Sequence, residues 1–171
     1  MSDFCRDVLP LLKSRAPSVR LQIVGAEPSA AVRRLGTIEG VTVTGSVPDV
    51  RPYLARAALT VAPLRIARGT QNKILEAMAM GVPVVASRLA AGGVDAVPGQ
   101  HLLVADTPGE QCDAILRVLG DVRERARLSQ AGRARMLSNH AWPSSMQRLD
   151  GVIDRCLGSF SPGASVATVS S

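Results

Sequence analysis

Apolar positions along the chain alternate between helical and strand periods. Phe4, Val8, Leu11 and Leu12 recur at helical spacing, and Pro17 closes that segment. LQIVG (Leu21 to Gly25) is a short apolar run stopped by glycine and reads as a buried strand. A short helix around Ala30 to Leu35 leads to VTVTG (Val41 to Gly45), β-branched and again closed by glycine. Val50 to Ala57, entered at Pro48 and Asp49, reads as a helix, and LTVAPL (Leu59 to Leu64) as the third strand. A loop follows, then a helix starting near Thr70 to Asn72 whose apolar stripe is Ile74, Leu75 and Met78. Gly81 is its stop signal, and Pro83 opens the fourth strand, PVVAS. The segment with Gly92 and Gly93 reads as a loop before a fifth strand, HLLVA (His101 to Ala105). Helices are predicted over Pro108 to Leu119, Val122 to Leu137 and Ser144 to Leu157.

Strands that are apolar on both faces and separated by helix-length segments imply a parallel sheet covered on both sides. The expected fold class is therefore α/β, a doubly wound, Rossmann-like parallel sheet, with ligands at the carboxyl ends of the strands. Residues 1–157 are expected to form one domain, and 158–171, without periodicity and rich in Ser, Gly, Ala and Val, a disordered tail.

Composition supports this picture. Apolar residues make up 46% of the 171 and aromatics only 2%, so the core must be aliphatic. The formal net charge of +6 raises the question of nucleic acid, but the arginines are scattered and aromatics for base stacking are nearly absent. Nucleic-acid binding is not expected. Diphosphate handling or contact with an anionic membrane suits the charge equally well. Cys5, Cys112 and Cys156 are far apart and odd in number, which points to neither a disulfide framework nor a zinc site. No apolar run reaches the roughly 20 residues of a membrane span, and the first residues are charged and amphipathic. The expected location is the cytoplasm, including the inner face of the membrane.

The chemistry concentrates in IARGTQNKILEAMAMGVPVVAS. Gly69 allows close approach of backbone to a ligand, and the helix after it aims free amides and a positive dipole end above the strand tips. A diphosphate suits that geometry. Glu76, one turn into the helix, can accept hydrogen bonds from a ribose diol. It can equally pair with Lys73 on a solvated surface. His101 and His140 lack neighbours at metal-ligand spacing and read as structural. Gly25-Ala26-Glu27-Pro28 does not supply the dinucleotide fingerprint of an oxidoreductase.

L-E-A-M-A-M-G-V-P-V-V-A-S (Leu75 to Ser87) resembles the signature of retaining glycosyltransferase family 4, and the string from Arg65 to Gly81 is closest to its exopolysaccharide-associated sugar transferases. V-T-V-T-G-S-V-P-D-V-R-P-Y-L-A and L-T-V-A-P-L resemble further parts of the same pattern. The resemblance implies the C-terminal, nucleotide-sugar-binding half of a GT-B fold, transferring a hexose with retention to a glycan or lipid-linked acceptor. It implies that Glu76 grips the donor ribose. Gly69, Thr70, Gln71, Asn72 and Lys73 contact sugar and diphosphate, and Gly45 and Val47 lie beside the base. It implies no cofactor other than the nucleotide-sugar substrate, and no metal, since no D-x-D pair stands beside a strand.

Two departures stand out. The family carries a glutamate eight positions before the ribose-binding one, where this chain has Arg68. An arginine there can reach phosphate or sugar hydroxyls but cannot act as a carboxylate, and Arg68 is the candidate catalytic residue. The family's first strand, with a diphosphate-clamping glycine-arginine-lysine segment, and its acceptor-binding domain have no counterpart in these residues. An N-terminal acceptor domain or partner chain is therefore expected. In a strand order 3-2-1-4-5-6 the first strand is central, so a gap is expected between LQIVG and LTVAPL, closed by movement or filled by another chain.

Overall fold

The computed structural model describes residues 1–64 and 71–139. The chain opens with a π-helical turn, Phe4–Val8, that runs directly into α1 (Leu9–Arg15). Then follow β1 (Leu21–Val24), α2 (Ala30–Arg34) with a 3-10 turn at Leu35–Thr37, and β2 (Val41–Gly45). α3 (Arg51–Arg56) leads to β3 (Thr60–Ala62), and α4 (Asn72–Ala79) to β4 (Val84–Ala86). α5 (Arg88–Ala91), β5 (Leu103–Val104), α6 (Pro108–Gly120) and α7 (Val122–Asn139) complete the described residues. Asp49 Oδ1 accepts from the Arg51 amide at 2.9 Å, which fixes the entry to α3 at the predicted Pro48-Asp49.

All strand pairs among the described residues are parallel, the expected α/β class. They form two sheets rather than one: β1 pairs with β2, and β3, β4 and β5 form the other, with β4 in the middle. The division falls between LQIVG and LTVAPL, where the strand order placed it. The two edges have not closed up.

β4 is buried at every residue, as the centre of a covered parallel sheet requires. Its core joins Ala62, Ile74, Ala77, Met78, Val84, Ala86 and Leu102, with α4 lying on the sheet. The opposite layer is α6 with the first helical segment, where Phe4, Val8 and Leu12 meet Val85, Leu103, Ile115 and Val118. Cys5 and Leu9 turn instead to Val41, with Leu21 and Ile23 packed alongside. One helical segment thus covers both sheets. α6 starts in a capping box: Thr107 Oγ1 accepts from the Glu110 amide and Glu110 Oε2 from the Thr107 amide.

Two expectations need correction. The segment read as a loop after β4 contains α5, because Ser87 caps it, accepting from the Ala90 amide at 3.2 Å. β5 is shorter than His101 to Ala105, because His101 is taken up by the turn before it (below) and only Leu103 and Val104 pair with β4. The expectations for Ser144 to Leu157 and for the tail lie outside the described residues.

Candidate functional site

In a parallel sheet every strand delivers its carboxyl end, and the amino end of the helix after it, to one rim. Here the rim is tied together by side chains. Ser87 Oγ, at the end of β4, donates to the Leu64 carbonyl beyond β3 at 2.7 Å. Asp106, after β5, accepts from the Arg88 amide through Oδ1 at 2.8 Å and from Arg88 Nε through Oδ2 at 3.2 Å. Asp106 is itself held, since its amide donates to Glu110 Oε2 at 3.0 Å. Backbone donation to Glu110 from Thr107 and then Asp106 keeps that carboxyl below the usual range.

α4 is the next described element after β3 and starts at Asn72. Ile74, Ala77 and Met78 are buried beneath it, while Asn72, Lys73 and Glu76 are exposed on one face. That division follows from helical spacing, because positions three and four apart share a side. Gln71 caps the helix through its carbonyl, which accepts from the Ile74 amide at 2.9 Å and the Leu75 amide at 3.3 Å. The amides of Asn72 and Lys73 have no partner among the described residues. These two donors and the positive end of the helix lie one turn from Glu76 along the chain. No ion pair joins Glu76 to Lys73, so the contact that a surface-pair reading needs is not made.

Gln71 is only 8% exposed. The sequence placed it with Asn72 and Lys73 as a donor contact; its carbonyl is used by the helix and it sits beneath the surface. Gly45 holds φ +71°, a conformation that favours glycine, and nothing within 4 Å would meet a Cβ there. It lines a groove of about 600 Å³ with Pro28, Arg33 and Gly36 along β2. Asn72, Lys73 and Glu76 do not line that groove, and neither does Val47, which is half-buried. Arg33 was not singled out from sequence; its Nε donates to the Pro28 carbonyl at 2.8 Å. The Ser87–Arg88–Asp106 link also escaped, because it joins residues from separate loops. Arg68, Gly69 and Thr70 lie outside the described residues, as do His140 and Cys156.

His101 has a structural role, and Asp95 is tied to α7. His101 is 8% exposed, and its Nδ1 accepts from the Val97 amide at 2.9 Å, closing the turn before β5. Asp95 Oδ1 pairs with Arg135 of α7 at 2.6 Å. Burial first, then the nearby Arg135, holds the His101 pKa below its ordinary value, against a smaller opposing pull from Asp95. The folded state therefore prefers neutral His101. Its contribution to stability is complete above about pH 6.5 and is lost as pH falls through the lowered folded value. Urea unfolding from pH 7.5 to 5 should show this loss, and His101→Asn, which keeps an acceptor for Val97, should flatten it. Equal pH slopes in both proteins would remove His101 as the cause.

Among the described residues no group of three or more His, Cys, Asp or Glu side chains is placed to hold a metal ion, and no helix is long and apolar enough to cross a membrane.

Comparison with known proteins bears on this geometry. A profile described as glycosyl transferases group 1 matches residues 1–121. A GDP-mannose-dependent alpha-(1-6)-phosphatidylinositol monomannoside mannosyltransferase of Mycolicibacterium smegmatis is 32% identical over 158 residues, which is 82% of this chain and 41% of that protein. The chain thus spans about two fifths of the curated relative it matches. Anabaena HepE, solved with UDP and glucose, superimposes with a TM-score of 0.72 at 18% identity, covering 87% of this chain and 44% of that one. The C-terminal domain of LpcC from Francisella tularensis, a group 1 family protein, gives 0.67 at 17% identity over 82% and 79% of the two chains. At these identities the structures show the shared fold, the Rossmann-like C-terminal half of GT-B glycosyltransferases.

Proposed function

The chain belongs to the glycosyl transferases group 1 family, and from that premise we propose that it is the donor-binding half of a retaining hexosyltransferase of family 4. Its substrate is a nucleoside-diphosphate sugar and its acceptor a glycan or a lipid-linked sugar. The observation that carries this reading is the α4 face, where Glu76 stands exposed one turn from the amides of Asn72 and Lys73, which have no partner among the described residues. Glu76 accepts from the ribose diol, and the helix terminus takes the diphosphate. Arg68, Gly69 and Thr70, just ahead of α4 in the sequence, complete the phosphate and sugar contacts. Gly45 and Val47 lie beside the base through backbone groups. Hexose transfer builds negative charge on the departing diphosphate, and fixed donors aimed at that charge lower the barrier. No metal is required of these residues.

The mycobacterial relative, named for GDP-mannose and a phosphatidylinositol acceptor, supports a lipid-linked acceptor; HepE, solved with UDP and glucose, keeps uridine donors in the panel. The reading places the protein in the cytoplasm, at the inner membrane face when the acceptor is lipid-linked, in cell-surface polysaccharide synthesis. Because the chain spans 41% of its mycobacterial relative, a second reading is a donor-binding subunit without activity of its own. Transfer from labelled GDP-mannose, UDP-glucose and related donors, with the chain alone and with acceptor-binding halves, separates the two. Turnover by the chain alone excludes the subunit reading, and failure of every donor in both arms excludes the first.

Arg68→Ala should weaken nucleoside diphosphates more than the matching nucleoside in calorimetry. Equal losses for both would take Arg68 out of the phosphate site.

A further inference from the structure

The carboxyl rim of the sheet continues past the residues assigned to the donor. β3, β4 and β5 stand side by side in that order, neighbouring strands being about 4.8 Å apart. Ser87 Oγ ties the end of β4 to that of β3, donating to the Leu64 carbonyl. α4 follows β3 and carries the proposed donor face; α5 follows β4, and the donor reading uses none of its residues. α5 presents two unlike side chains at this rim. The Arg88 side chain is 82% exposed and Leu89 is 56% exposed, while Ala90 and Ala91 are buried. Among the large apolar side chains of the described residues only Val122 and Leu137 are more exposed. Both belong to α7, which crosses the opposite end of α4, where Gly81 faces Ser129. At the carboxyl rim, Leu89 is therefore the most exposed of them.

Arg88 is exposed but fixed. Its amide donates to Asp106 Oδ1 and its Nε to Oδ2, so one carboxylate holds both its main chain and its side chain. Asp106 is thereby occupied, and Glu110 Oε2 is taken by the Asp106 and Thr107 amides. The two Nη groups of Arg88 have no partner among the described residues. A guanidinium anchored at one nitrogen keeps a planar pair of donors, the geometry that fits phosphate oxygens. An exposed leucine alone is ordinary. Directly beside an oriented cation, at the rim where ligands bind, it completes an amphiphilic pair.

We infer that Arg88 and Leu89 form the contact for a lipid-borne phosphate of the acceptor. The Nη groups of Arg88 take the phosphate oxygens, and Leu89 covers the first apolar segment of the chain. The inference rests on the donor-site reading, which puts the transferred hexose beside α4, one strand away.

The test titrates monomeric dihexanoylphosphatidylglycerol into the full chain and follows the Arg88 Nε–H and the Leu89 methyls by NMR. Glycerol 3-phosphate supplies the phosphate without a chain, and dihexanoylglycerol the chain without phosphate. The phospholipid should shift both side chains saturably, and each fragment should bind about tenfold more weakly or worse. Arg88→Gln and Leu89→Ser should each lower the phospholipid affinity by about tenfold, and as surface substitutions both should stay folded. Arg133→Gln and Leu137→Ser on α7 should leave it unchanged. Glycerol 3-phosphate binding as tightly as the phospholipid overturns the proposal in favour of a plain anion site. Equal losses from the α7 variants overturn it in favour of general adsorption, and so does the absence of shifts at Arg88 and Leu89. A nucleoside diphosphate added to the same samples reports on Asn72 and Lys73. Shifts there with none at Arg88 refute the acceptor contact and leave the donor reading standing; the reverse keeps the lipid contact and removes the donor reading.

Discussion

Replacing Glu76 by alanine should weaken binding of a nucleoside diphosphate by roughly ten- to a hundredfold, the equivalent of about 1.5–3 kcal/mol for hydrogen bonds to a charged acceptor. The carboxylate is exposed and forms no ion pair with Lys73, so removing it takes away no packing and no internal partner. The unfolding midpoint should therefore stay within the narrow range of surface substitutions. Affinity and stability should separate, which distinguishes a ligand contact from a support for the helix. A surface Glu with no ligand predicts the opposite pattern, with affinity unchanged. Glu76→Gln keeps one acceptor oxygen and loses the charge, and should fall between the two proteins. The comparison of nucleoside diphosphate with deoxynucleoside diphosphate sharpens the point: the variant should lose most of the preference for the ribose form.

The second large effect is on the fold. Gly81→Val should destabilise the domain by roughly 2–4 kcal/mol, combining a left-handed backbone conformation with overpacking. Gly81 holds φ +71° immediately after α4, and the Gly81 and Val82 amides donate to the Met78 and Ala77 carbonyls at 2.9 and 2.8 Å. These two bonds form the helix-terminating motif that needs a residue with positive φ at this position. A Cβ there would also meet Ser129 Oγ of α7 at 3.1 Å. Gly81→Ala bears the backbone strain with a single added carbon and should cost less than valine. Urea denaturation checks both, and equal stability of the valine variant and the parent would contradict this account of the turn.

That glycine was legible in the sequence because its chemistry is local. The stripe Ile74 and Met78, the small Ala77 and the stop at Gly81 all bear on one helix, and the structure buries Ile74, Ala77 and Met78 together. The strands LQIVG, VTVTG, LTVAPL and PVVAS were legible for the same reason, whereas the division of the sheet between LQIVG and LTVAPL was implied by the family resemblance and its strand order. What escaped depends on partners distant in sequence or on a single cap. α5 consists of Arg88, Leu89, Ala90 and Ala91, too short for a periodic pattern, and its start is set by the Ser87 cap. His101 looks like the first residue of a strand, but the Val97 amide claims its ring. The Arg88–Asp106 link joins the ends of β4 and β5, and nothing in either segment alone announces it. Within the site, sequence brought Asn72, Lys73 and Glu76 to one helix face, but it could not show that Gln71 is buried, because burial at a helix cap depends on residues distant in sequence.

The central claim is that the rim at α4 binds a nucleoside-diphosphate sugar. Amide chemical-shift mapping of the labelled chain during titration with GDP-mannose and UDP-glucose tests it most directly. The account predicts saturable shifts with at least one of the two, largest at Asn72, Lys73 and Glu76, with a second group at Gly45 and Val47. Shifts confined to other surfaces, or none with either donor, would contradict it.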